Sequence, residues 1–172
     1  MRRALAACLV LAAGSCSGDS GDPSGSRLDC ADPIDTLDAP PADYAVFGDA
    51  VAMLTSDTYD TALQTSRSGD EDASRRLFAK TGLLVRNGAK AELSSEQAWF
   101  DWGNTGTTEP TRTLETACEG EGEWIVFPGG CLVADPACVS VTVRVEGVEL
   151  QYTMGVGAPC PGQQPPPSPS ET

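Results

Sequence analysis

The stretch CVSVTVRVEGVELQYTMGV, Cys138 to Val156, decides the fold. Val139, Val141, Val143 and Val145 alternate with Ser140, Thr142 and Arg144. After Glu146-Gly147, the apolar residues Val148, Leu150, Tyr152, Met154 and Val156 alternate with Glu149, Gln151 and Thr153. A period of two is the signature of a strand with one wet and one dry face. A two-residue turn at Glu146-Gly147 sets Val145 against Val148, Val143 against Leu150, Val141 against Tyr152 and Val139 against Met154, all on one face. The other face then pairs Arg144 with Glu149 and Thr142 with Gln151. A slip of one residue would break both the apolar sorting and the charge pairing, so the register is specified.

Outward from this hairpin the chain keeps the same grammar. A second hairpin is expected over Leu83–Leu93, with a three-residue loop Asn87-Gly88-Ala89 that pairs Val85 with Ala91 and Leu83 with Leu93. A third is expected where Trp124-Ile125-Val126-Phe127 turns through Pro128-Gly129-Gly130 into Cys131-Leu132-Val133. The first strand of this third hairpin is apolar on both sides and reads as central and buried. Further strands are expected near Tyr44–Leu54, Ala98–Trp102 and Thr111–Cys118, and a short helix near Asp70–Leu77. Short strands between Gly, Pro and Asn turns define an all-β class, an antiparallel β-sandwich or barrel.

The two ends read differently. Met1-Arg2-Arg3 is a positive start and Ala4 to Ala13 an apolar run of signal-peptide length. That run is shorter than the ~20 residues a spanning helix needs. Leu11-Ala12-Ala13-Gly14-Ser15-Cys16 resembles the lipobox of bacterial lipoproteins. The resemblance implies that residues 1–15 are removed, that Cys16 becomes the N-terminus, and that its sulfur carries diacylglycerol. Plain secretion is the alternative, since Ala13-x-Ser15 also suits a general signal peptidase. Residues 16–27, rich in Gly, Ser and Asp, are expected to form a flexible tether. The globular domain is expected over 28–160, and the proline-rich end, 161–172, is expected to be mobile.

Charge narrows the partners. The chain of 172 residues has 11 basic and 25 acidic side chains, a net charge of −14, and no histidine. Removal of residues 1–15 takes away only Arg2 and Arg3, leaving −16. Such a surface repels phosphate backbones, which argues against nucleic acid. It also supplies no basic patch for anionic lipid headgroups, so attachment to a membrane falls to the N-terminal lipid.

Five cysteines follow Cys16. In an exported chain disulfides are the default. Extending the expected third hairpin brings Cys118 opposite residue 140, which suggests Cys118–Cys138; Cys30 and Cys160 then bracket the domain as a second pair. Cys131, among Phe127, Leu132 and Val133, is expected to be a buried, inert thiol.

Catalytic and metal signatures are weak. Asp32, Asp35 and Asp38 recur every third residue and Asp70-Glu71-Asp72 is a local run; both read better as solvated acid than as calcium loops. No Gly-x-Ser-x-Gly, no Ser-x-x-Lys and no CxxC occurs, and no cofactor motif is complete. Trp99, Trp102 and Trp124 read as core fillers before they read as a sugar-stacking platform.

Ser74-Arg75-Arg76-Leu77-Phe78-Ala79-Lys80-Thr81-Gly82-Leu83, Trp124 to Phe127 with Gly129-Gly130, Pro136-Ala137-Cys138, and Gly155-Val156-Gly157-Ala158-Pro159-Cys160 resemble uncharacterised exported lipoproteins of high-GC Gram-positive (actinobacterial) bacteria. The resemblance implies class and location and carries over no catalytic residue. The expected function is a non-catalytic binding or structural domain on the outer face of the cell membrane, with a protein or glycan ligand. A carboxylate-dependent envelope hydrolase is the rival.

Overall fold

The computed structural model describes residues 25–31, 33–103 and 109–167. Its strands pack as a sandwich of mostly antiparallel sheets. One layer is a five-stranded sheet. It runs β1 (Gly25–Arg27), β10 (Thr113–Ala117), β8 (Lys90–Ser94), β13 (Ala137–Val145) and β14 (Val148–Val156) from edge to edge. The β13–β14 hairpin has the register read from sequence, from Val145↔Val148 to Val139↔Met154. Glu146 (φ 50°) and Gly147 (φ 81°) both take the left-handed conformation that a two-residue turn of matching twist demands. Val139, Val141, Val143, Val145, Tyr152 and Met154 are buried, as the alternation requires, whereas Val148, expected inward, is exposed beside the turn and Leu150 is half-buried.

The opposing layer contains two sheets. The first is ordered β2 (Asp35–Leu37), β11 (Trp124–Phe127), β7 (Leu83–Arg86), β4 (Val51–Leu54) and β3 (Tyr44–Phe47). The second is ordered β5 (Thr65–Arg67), β6 (Leu77–Lys80), β12 (Gly129–Val133) and β9 (Trp99–Trp102). They meet at a bend. The chain passes from β6 to β7 through Thr81-Gly82 and from β11 to β12 through Pro128, and the Thr81 amide donates to the Gly129 carbonyl across the bend (3.0 Å). At the end of the molecule held by the second sheet, single bridges at Phe100↔Thr111 and Leu63↔Val156 join its edges toward the first layer. The fold is therefore a sandwich at one end and barrel-like at the other.

Two expected hairpins are corrected here. Leu83–Arg86 and Lys90–Ser94 do not pair with each other: β7 lies between β11 and β4, and β8 between β10 and β13. Asn87-Gly88-Ala89 is thus an arch from one layer to the other. Likewise β11 pairs with β2 and β7, whereas β12 pairs with β6 and β9. Proline supplies no amide hydrogen for a ladder. Gly129 (φ 138°) sits where a Cβ would run into the Asp101 carbonyl, so β9 can approach only a glycine. The strands expected near Ala98–Trp102 and Thr111–Cys118 are present, and Tyr44–Leu54 divides into β3 and β4 at a second left-handed turn, Gly48-Asp49. The expected helix is a single 3₁₀ turn, Ala73–Arg75, capped by the Asp72 carboxylate.

The ends of the domain also move. Gly25–Arg27, expected in the tether, form β1, parallel to β10, and Leu28 behind them is buried. The start of the expected mobile tail is docked. Gln163 donates from Nε2 to the Tyr59 carbonyl (2.7 Å) and accepts from the Cys160 amide (3.1 Å), and Gln164 bridges Thr61. The amide side chain of Gln163 satisfies backbone groups that would otherwise be left bare on the domain side.

Candidate functional site

The pairing of the cysteines fixes what the loops can do. Cys30 is joined to Cys118 and Cys138 to Cys160. All four cysteines are paired as expected, but the partners are exchanged relative to the sequence reading. The expected Cys118–Cys138 link rested on a β11–β12 ladder that does not form, and β1 carries Cys30 alongside β10 to Cys118 instead. Cys131 is fully buried and free, and burial pushes its thiol up to about 12. Cys16 lies outside the described residues, as does Asp32. Asp35 and Asp38 are exposed, and Asp70 and Asp72 are spent on capping and on holding Arg75 (Asp70 Oδ2 at 2.9 Å). Among the described residues no three His, Cys, Asp or Glu side chains converge as metal ligands.

The tryptophans serve packing. Trp102 and Trp124 are buried, and Trp102 donates from Nε1 to the Thr81 carbonyl (2.8 Å). Trp99, partly exposed, has the guanidinium carbons of Arg112 and Arg75 at 4.4 and 5.3 Å from its ring centre. Its ring is engaged by cations and is not a bare stacking platform.

A cleft of about 640 Å³ opens at one end of the sandwich. Turns from both layers build it: Gly48-Asp49 between β3 and β4, the arch Asn87-Gly88-Ala89, and Glu146-Gly147 between β13 and β14. Its floor is apolar (Ala50, Ala89, Val145) and its rim charged (Asp49, Lys90, Glu146). The walls are stiff for identifiable reasons. A Cβ on Gly48 would fall 2.7 Å from that of Val145, so the two layers touch there through a glycine. Asn87 binds the loop after β10 with its whole amide: Nδ2 donates to the carbonyls of Gly120 (2.6 Å) and Gly122 (3.0 Å), and Oδ1 accepts from the Gly120 amide (3.0 Å). The Gly88 amide donates to the Cys118 carbonyl (2.9 Å), so the Cys30–Cys118 disulfide backs the same wall. Arg86 ties Asp49 to Glu123 (3.0 Å to Glu123). A site pre-set by short turns and a disulfide loses little freedom on binding. The sequence reading missed it. Gly48-Asp49 between two apolar runs was the available signal.

The cleft also has a direction. In the five-stranded sheet, Gly25 stands in one row with Thr113, Ser94, Thr142 and Gln151, whereas Ala117 and Lys90 close the sheet at the cleft end. These rows are four residue steps apart along β10, roughly 13 Å. The chain therefore enters the first strand from the side away from the cleft. The intervening row crosses all five strands as Arg27, Glu115, Glu92, Arg144, Glu149, with Arg144 paired to both Glu92 and Glu149.

No protein-family model, no curated protein and no solved structure matches the chain.

Proposed function

We propose that the protein is a lipid-anchored, extracytoplasmic, non-catalytic binding domain that presents its turn-lined cleft to a protein partner of the cell envelope. The observation that carries this reading is the opposition of chain entry and cleft. With lipid on Cys16, nine peptide steps reach Gly25 and span at most about 30 Å. The domain is then held near the bilayer by its β1 side, with the cleft pointing outward. Two disulfides support an oxidising compartment. The apolar floor with a mixed-charge rim suits a side chain docked among polar contacts, the anatomy of a small interface. The rival carboxylate hydrolase asks for a pair of carboxyls. Asp101, raised by burial, has Gly130 and then Lys80 as its cross-strand neighbours.

Lys80 and Lys90 are the only lysines, which makes the test simple. A membrane-impermeant, amine-reactive cross-linker applied to intact cells should give conjugates through Lys90. Lys90→Arg should abolish them while Lys80 stays reactive. Absence of any Lys90 conjugate on cells that carry the protein would refute the outward-facing cleft.

A further inference from the structure

A second recess lies on the wet face of the five-stranded sheet. There β8 and β10 end while β13 and β14 run on to Ala137 and Val156. It measures about 280 Å³ and every residue that lines it is polar, among them Ser94, Gln97, Arg112, Thr113, Ser140 and Thr142. We propose that this notch binds a glycan, a ligand recognised through neighbouring hydroxyls.

Four observations converge on that chemistry. Thr113, Ser94 and Thr142 stand side by side on three adjacent strands, one inter-strand spacing of ~4.8 Å apart. Among the described residues none of these three hydroxyls has a hydrogen-bond partner, whereas the neighbouring Ser95 hydroxyl is fully used: it donates to the Ser140 carbonyl (2.8 Å) and accepts from the amides of Gln97 (3.2 Å) and Ala98 (3.1 Å). Gln97 spends its Oε1 on the Ser140 amide (2.8 Å), which leaves its NH₂ group as a donor. Arg112 is held by stacking on Trp99 and by one Nη1 bond to the Glu96 carbonyl, leaving its remaining N–H groups to the recess. A row of groups that both donate and accept, flanked by a fixed guanidinium and an amide, matches the alternating donors and acceptors of vicinal hydroxyls. An anion is a poor fit, because Arg112 is offset by Glu96 in a strongly acidic chain. An added peptide strand finds the β13 edge beside the notch already engaged, with the Ser140 amide bonded to Gln97 and its carbonyl to Ser95. The notch shares its row with Gly25, so its ligand lies on the membrane side of the domain, in wall glycan or in a glycolipid headgroup.

The test uses the mature chain made soluble by Cys16→Ala, labelled with ¹⁵N. It is titrated with maltohexaose, cellohexaose and chitohexaose, and with phosphatidylcholine vesicles with and without digalactosyl diacylglycerol. The proposal expects amide shifts centred on Ser94, Gln97, Thr113 and Thr142 with at least one probe, and at least a tenfold loss of affinity in Ser94→Ala/Thr142→Val, whose ligand-free spectrum is otherwise unchanged. A response to a free hexasaccharide points to wall glycan; a response confined to the galactolipid vesicles points to a headgroup. Silence with every probe, or equal affinity in the double variant, overturns the proposal. Neither result bears on Lys90 cross-linking, so the two readings fail separately.

Discussion

Cys30 and Cys118 form a disulfide with their Cα atoms 5.4 Å apart, tying the segment that enters the domain to the loop that backs the cleft. The bond closes a separation of 88 residues, whereas Cys138–Cys160 closes 22. In the chain-entropy view the longer loop stabilises by about 4–5 kcal/mol and the shorter by about 3 kcal/mol. Peptide mapping without reduction should recover these two links. Cys30→Ser/Cys118→Ser should lower stability more than Cys138→Ser/Cys160→Ser, measured by urea unfolding under oxidising conditions. Recovery of a Cys118–Cys138 peptide would contradict the arrangement of β1 beside β10.

Cys131 has no exposed surface and its thiol is pushed up to about 12 by burial. Enclosed and held as the thiol, it should not react with an aromatic disulfide reagent until the protein is unfolded. Cys131→Ser places a hydroxyl in the same dry position and should cost about 1–3 kcal/mol in denaturant unfolding. Rapid modification of the folded protein would show that the core around Phe100 and Ala79 is open.

Gly129 marks the passage from one sheet to the next, and a side chain there meets the Asp101 carbonyl and the Trp102 backbone. Gly129→Ala should cost several kcal/mol, on the order of the largest single-site effects, because the obstacle is backbone and φ is unfavourable as well. Gly147→Ala is the control. That turn also has positive φ but open space around it, and should cost only about 1 kcal/mol. Equal effects at the two sites would argue against the bend at Pro128-Gly129.

Asp101 gives the pH dependence its sign. Burial raises its carboxyl above the ordinary 3.8, so the folded state holds the proton more tightly than the unfolded chain. Its favourable contribution is complete below 3.8 and is lost as pH rises through the higher folded value. Asp101→Asn should therefore be more stable than the parent at pH 7, with the difference shrinking as pH falls below that range. A variant less stable at pH 7 would show that the carboxylate has a compensating partner.

What could be read from sequence divides along one physical line. The alternation in Val139–Val156 states which side chains turn inward, and because Glu146-Gly147 can only be a tight reversal, pairing followed with its register. At Leu83–Leu93 the alternation was equally legible, yet three residues, Asn87 to Ala89, serve a hairpin or an arch alike. Which sheet receives β8 is decided by partners dozens of residues away, in β10 and β13. The same ambiguity at Pro128 misassigned the disulfides. The cleft was hidden for a related reason. Asp49, Lys90 and Glu146 are each ordinary turn or surface residues, and only the crossing of the arch between layers brings them together. The unpaired hydroxyls of the notch follow from register across three strands, one of whose pairings, β8 with β13, local pattern does not report.

The proposed anchor at Cys16 is tested most directly by mass spectrometry of the mature N-terminal peptide from the native membrane fraction. The predicted peptide begins at Cys16 and carries diacylglycerol on its sulfur. An unmodified Cys16, or a peptide that still contains residues 1–15, would contradict it.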